Sequence, residues 1–283
     1  MKLGFTEFSY GYAFTENLIR SSASGPASAP VFPNLVQEAK LGYDVRIDMP
    51  GSPLFFQFKL PELMVRDTAR EIAQLGLAGL STPFFRMPLM RRDLSDQHAH
   101  LMQLEAKFPG AVYYASPTCE STAAFNAAYA LAQVHTSSVL ISPRAIGPLP
   151  DDKGHVVSYV AGATIAWRCS EPRKVKVADF AAISNAVTER LAQNSDDSLE
   201  ETVGQVREKV WPLVPEGLRD AEDAIRDRFP IAPEGADAGA EEDLRFRKVT
   251  REILVLREVV RVGLGVDFVI AQPREHKKEV ETS

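Results

Sequence analysis

Between Gly42 and Lys59 the chain reads GYDVRIDMPGSPLFFQFK, two runs of alternating apolar and polar residues around the turn-forming cluster Pro50-Gly51-Ser52-Pro53. The pattern predicts a β-hairpin, and its register is open to a physical test. A two- or four-residue loop centred on Gly51-Ser52 sets Asp44 opposite Lys59 and Arg46 opposite Gln57. Directly opposed residues share a face with β-carbons roughly 5 Å apart, so a carboxylate, an amide oxygen and an ammonium would converge on one ion. Val45, Ile47, Phe56 and Phe58 would then form the core face. A three-residue loop slips the register by one and sets Asp44 against Phe58, placing a charge opposite a core position, which favours the even loop.

The length of 283 residues allows a large core, and 45% apolar with 25% charged residues is ordinary for a globular chain. The apolar runs are shorter than the ~20 residues that cross a bilayer, and the amino terminus has no basic-then-apolar leader, so the expected setting is cytoplasmic, away from membranes. Cys119 and Cys169 stand far apart, outside any CxxC or Cys/His array; they read as buried thiols rather than a disulfide or a zinc site. A net charge of −6 argues against a general nucleic-acid coat protein, which carries a basic face. It leaves room for a metal-dependent nuclease. Arg86, Arg91 and Arg92 form a basic stretch that reads as a solvated surface or as contacts to phosphate.

Helical spacing over residues 11–21 is followed by SASGPASAP, a loop at 22–30, and Pro33 opens a short helix through Glu38 that Gly42 ends. After the hairpin, Pro61 is expected to open a helix over PELMVRDTAREIAQL. FFRMPLM at 84–90 reads as a third strand, DLSDQHAHLMQLEAKFPG as a helix and AVYYASP as a fourth strand. STAAFNAAYALAQV, SSVLISP and HVVSYVAGATIAWRC complete a mixed α/β core over residues 1–175. Residues 176–283 are mostly helical, with an acidic Gly/Ala-rich linker at 231–242, a long helix LRFRKVTREILVLREVVRVGL and VDFVIAQ as an edge strand.

Taken in order, residues 31–116 offer a helix with Glu38, a strand with Asp44, a strand with Gln57 and Lys59, a third strand, a helix and a fourth strand. This order and the Asp44, Gln57-Phe58-Lys59 motif resemble the PD-(D/E)XK nuclease superfamily in its Mrr-like variant, where glutamine replaces the second acid. The resemblance covers under a third of the chain. It implies a restriction-endonuclease-like mixed sheet flanked by helices, with residues 176–283 as a mostly helical C-terminal appendage. It further implies a magnesium- or manganese-dependent endonuclease that hydrolyses phosphodiester bonds in DNA, with a role in restriction or antiviral defence. Asp44, Gln57, Lys59 and Glu38 would be catalytic, and Asp44, Gln57 and Glu38 would hold the metal, with Glu7 or Glu16 as substitutes for Glu38. Hard cations prefer such oxygen donors. Gln57 is neutral, so this site carries less negative charge than the usual one; Asp48, on the same strand face as Asp44, either compensates or only flanks the turn. Gln97, on the helix after the third strand, resembles a position near the phosphate. A homodimer or a partner protein would engage the helical region.

Each of these residues also has an ordinary reading. An Asp opposite a Lys is a common cross-strand ion pair worth ~0.2–1 kcal/mol, and Glu38 or Gln97 can simply face solvent. His98 and His100, two positions apart on a helix, diverge by about 200° and cannot share an ion. The aromatic run Phe5, Phe8, Tyr10, Tyr12 and Phe14 has the spacing of core packing, with base stacking as its alternative, and Tyr113 and Tyr114 read as structural. Neither a GxSxG elbow nor a phosphate-binding glycine loop is present. The rival expectation is a catalytically silent interaction or sensor protein on the same scaffold.

Overall fold

The computed structural model describes residues 1–21, 25–26, 47–231 and 240–272. The chain is mixed α/β. Its elements run α1 (Glu7–Ser21), β1 (Gly25–Pro26), β2 (Ser52–Phe58), β3 (Glu62–Met64), α2 (Arg70–Ala73), β4 (Phe84–Leu89), α3 (Gln97–Lys107), β5 (Val112–Pro117), α4 (Thr122–Ala130), β6 (Ser138–Ile141) and α5 (Pro143–Ile146). They continue with β7 (His155–Tyr159), β8 (Ile165–Arg168), β9 (Arg173–Lys176), α6 (Phe180–Gln193), α7 (Leu199–Val210), α8 (Glu216–Asp220), α9 (Glu222–Arg226), α10 (Ala240–Leu264) and β10 (Asp267–Gln272).

Among the described residues, two five-stranded sheets organise these elements. The first has the order β1-β10-β2-β5-β6, with β2 and β5 parallel and the other neighbours antiparallel. The second, β3-β4-β7-β8-β9, is antiparallel throughout. Strand β2 lies inside the first sheet and is covered on both faces, so its alternation separates two layers rather than core from solvent. Phe56 and Phe58 meet Phe14 and Tyr10 of α1. Gly11 permits this approach, since a β-carbon there would lie 2.8 Å from the Phe58 ring. On the opposite face Phe55 packs against Phe108 and Phe268, with ring centroids 5.0 and 5.1 Å apart.

Several expectations change. The hairpin over 43–59 is replaced: Phe56 is paired with Asp267 of β10 on one edge and Tyr113 of β5 on the other, so no edge remains for a preceding strand in that register. Asp44, Val45, Arg46 and Glu38 lie outside the described residues; Ile47 to Met49 form a turn, and Ser52 and Pro53 already belong to β2. The third strand, β4, is in the other sheet. Pro61 opens no helix, because Glu62 to Met64 pair with β4 and only Arg70 to Ala73 are helical. HVVSYVAGATIAWRC divides into β7 and β8 around a turn. The segment VDFVIAQ is interior rather than an edge, with Phe268 and Ile270 buried where β10 enters between β1 and β2.

The predicted strands at 84–90, 111–117 and 137–143 and the helices at 93–108 and 244–264 are all present. Apolar residues of 1–175 and of 176–283, among them Tyr10, Phe55, Leu140, Val203, Val259 and Phe268, share one core. A smaller cluster of Ala69, Leu77, Leu80, Phe84 and Cys169 fills the space under the 65–82 segment. Among the described residues, no helix is long and apolar enough to cross a membrane.

Candidate active site

Gln57 and Lys59 leave β2 on one face, two positions apart, as strand geometry requires. Gln57 is 6% exposed and Lys59 8%. The Lys59 main chain is fixed on both sides of the peptide: its N–H donates to Ala115 O at 2.9 Å and its carbonyl accepts from Ser116 Oγ at 2.9 Å. Ser116 is held in turn by the Tyr159 hydroxyl, 2.8 Å from Ser116 Oγ and 3.0 Å from Pro117 O. The ammonium therefore projects from a rigid base. Nζ donates to Gln97 Oε1 at 3.1 Å, at the first residue of α3.

The Gln57 amide is half satisfied. Nε2 donates to Phe58 O at 3.0 Å, while Oε1 is buried and has no hydrogen-bond partner. Gln57 Oε1 and Gln97 Nε2 both face Gly265, at the junction of α10 and β10, where a β-carbon would lie 3.3 and 2.6 Å from them. A buried acceptor without a donor costs ~1–3 kcal/mol. Here the unpaired oxygen lies beside Gly265, next to the Gln97 amide that binds Lys59.

Glu7 lies near Lys59, and Asp267 near Glu7. Glu7, an exposed residue in the first turn of α1, has its pKa raised by the protein bulk beside the carboxyl, against the opposing pull of the Lys59 ammonium and the Leu60 N–H. Asp267 is raised by burial, although Arg257 Nη2 sits 3.7 Å from Oδ1 and acts the other way. Lys59 is lowered: removal from water outweighs the nearby Glu7 charge. Its ammonium is thus easier to deprotonate than a solvated lysine.

Gln57 Oε1 fits a hard divalent cation as a neutral oxygen ligand, being buried and without a hydrogen-bond partner. Among the described residues no group of three His, Cys, Asp or Glu side chains is arranged to hold a metal, so a complete set would depend on Asp44 and Glu38 beyond them. Glu16 pairs with Arg20 at 3.2 Å and does not join the cluster.

The other residues singled out in the sequence resolve as follows. Arg86 is held by Glu71 through two hydrogen bonds of 2.6 Å, Arg91 by Asp93, and Arg92 by Asp152, so their charges are compensated. His98 is buried between the Tyr114 hydroxyl and Gly147 O, and His100 is half-buried, consistent with their divergence. Tyr113, Tyr114, Cys119 and Cys169 are buried. Of the aromatic run, Tyr10 and Phe14 are core, Phe5 stacks on Phe125, and Phe8 and Tyr12 are exposed. Sequence reasoning missed Asp267 and Gly265. No local signal marks either: the pairing of β10 with β2 brings Gly265 to Gln57 and sets Asp267 opposite Phe56.

Comparison with family models, with curated proteins and with solved structures finds no match to this chain.

Proposed function

We propose that the chain is a divalent-cation-dependent phosphodiesterase acting on nucleic acid, with DNA as first substrate, built on a PD-(D/E)XK-like strand–helix–strand unit of β2, α3 and β5. One observation carries this reading: a buried, unpartnered amide oxygen at Gln57 stands on the same strand face as the buried ammonium of Lys59. Gln57 Oε1, with Asp44 and Glu38, would hold magnesium or manganese, which when bound lowers the pKa of a water ligand and offsets charge developing on phosphate. Lys59 would orient the attacking water, and its lowered pKa makes it a readier proton donor than a solvated lysine. As an ammonium it would also stabilise the oxyanion, while Gln97 holds Nζ in place.

The test is a cleavage assay on plasmid, linear duplex, single-stranded DNA and RNA with magnesium or manganese, with Lys59→Ala and Asp44→Asn run beside the native protein. Metal-dependent cutting lost in both variants is expected. A folded native protein that cuts none of these and shows no metal binding by calorimetry would sink the proposal and leave the interaction-protein reading.

A further inference from the structure

The second sheet ends in β8 and β9, whose residues alternate between two environments. Ala166, Arg168 and Val175 point inward and are buried. On the outer face stand Ile165, 39% exposed, and Trp167 of β8, paired across the ladder with Lys176 and Lys174 of β9. Both lysines are exposed. They are about 7 Å apart along the strand, a spacing that adjacent phosphates of an extended single strand can match. The arginines at 86, 91 and 92 are neutralised by carboxylates, whereas neither lysine is ion-paired among the described residues. In a chain of net charge −6 this is a local excess, not a consequence of overall composition.

Beside the lysines lies a cavity of about 420 Å³, lined by Leu80, Val160, Gly162, Thr164, Trp167 and Lys174 among others. The indole forms its aromatic wall. Trp167 Nε1 donates to Ala78 O at 3.2 Å, which fixes the ring, and Lys174 Nζ lies 5.7 Å from the ring centroid. A rigid aromatic flanked by a solvent-facing cation is the combination that holds an unpaired base by stacking and its phosphate by charge. A duplex presents its bases already stacked, so a site of this kind would favour single strands.

We propose that the outer face of β8 and β9 is a second binding surface for single-stranded nucleic acid, with one base entering the cavity against Trp167 and the flanking phosphates on Lys174 and Lys176. The choice of nucleic acid over other polyanions rests on the proposed activity; the surface itself is separate from Gln57 and Lys59.

The experiment is fluorescence anisotropy of a labelled oligothymidine with the full chain in EDTA, at several salt concentrations, with the same strand annealed to its complement as the duplex control. Lys174→Ala/Lys176→Ala should weaken single-strand binding and lower the slope of log affinity against log salt by roughly 0.7 for each lysine. Trp167→Ala, checked for folding by circular dichroism, should weaken single-strand binding by roughly tenfold and leave duplex binding unchanged. Absence of binding by the folded native protein at low salt, or an affinity and slope unaltered in the lysine variant, would overturn the surface. Because divalent metal is absent, lysine-dependent binding by a protein that fails to cut supports this surface while counting against the active site. Cutting that persists with lysine-independent binding counts against the surface alone.

Discussion

Gly265→Ala probes the candidate site through its backbone. Gly265 closes α10: its N–H donates to Arg261 O at 3.1 Å with φ at +68°, the left-handed cap that helices commonly use before a change of direction. An L-residue there pays about 1–2 kcal/mol for the left-handed conformation. The added methyl would also stand 2.6 Å from Gln97 Nε2, and that amide must move aside. Its movement breaks the 3.1 Å contact with Lys59 Nζ, a charged hydrogen bond worth about 1.5 kcal/mol at the low end of its range. The two costs together are about 3 kcal/mol, or a fall in Tm of roughly 6 °C for a chain of this size. Differential scanning calorimetry on Gly265→Ala, Gln97→Ala and the double variant separates them. With Gln97 truncated, the methyl keeps only its 3.3 Å approach to Gln57 Oε1, so the second substitution should cost little beyond the backbone share, leaving a coupling of about 1.5 kcal/mol. Strict additivity, or a Gly265→Ala protein as stable as the native one, would refute the convergence of Gly265, Gln97 and Lys59.

Two further outcomes follow from buried charge. Lys59→Met should raise Tm while abolishing any metal-dependent cleavage, because the ammonium is held in a desolvated position at a cost to stability. The Lys59 pKa is lowered in the folded state, so its penalty is full below the folded value and disappears as pH rises toward the ordinary lysine value of 10.5; the Tm advantage of the variant should shrink over that range, and an advantage that grows with pH would contradict the assignment. At Glu71, burial acts to raise the carboxyl pKa but the hydrogen bonds from Arg86 prevail and lower it. Glu71→Gln should therefore cost about 2 kcal/mol near neutral pH in urea denaturation. Its deficit should close as pH falls below the ordinary carboxylate value of 4.5 and through the folded one; a deficit constant with pH would show that the ion pair contributes nothing.

How far the candidate site was legible depends on the range of the interactions that build it. The shared face of Gln57 and Lys59 follows from strand periodicity alone, and Gln97 at the start of α3 was readable from helix order. The partner expected opposite Lys59 was not: hairpin reasoning assigns neighbours by loop length, and β2 instead takes β10, more than two hundred residues along the chain, and β5 across a helix. Likewise, sequence left Arg86 as a solvated or phosphate-contacting cation, because Glu71, its bidentate partner, belongs to a stretch that reads as helix but supplies only a short turn.

What the sequence determined by itself was local: which residues alternate, where Gly and Pro break the chain, that FFRMPL and VYYASP are strands, and that Cys119 and Cys169 are buried thiols. These depend on backbone sterics and on the hydrophobic period, and each window carries its own information. Tertiary structure alone decided which strands share a sheet, that the last described strand lies inside the first sheet, and that Gly265 reaches Gln57. Those outcomes are set by burying Phe55, Phe56, Phe268 and Ile270 together. That gain belongs to surfaces far apart in the chain, and no single window of sequence contains it.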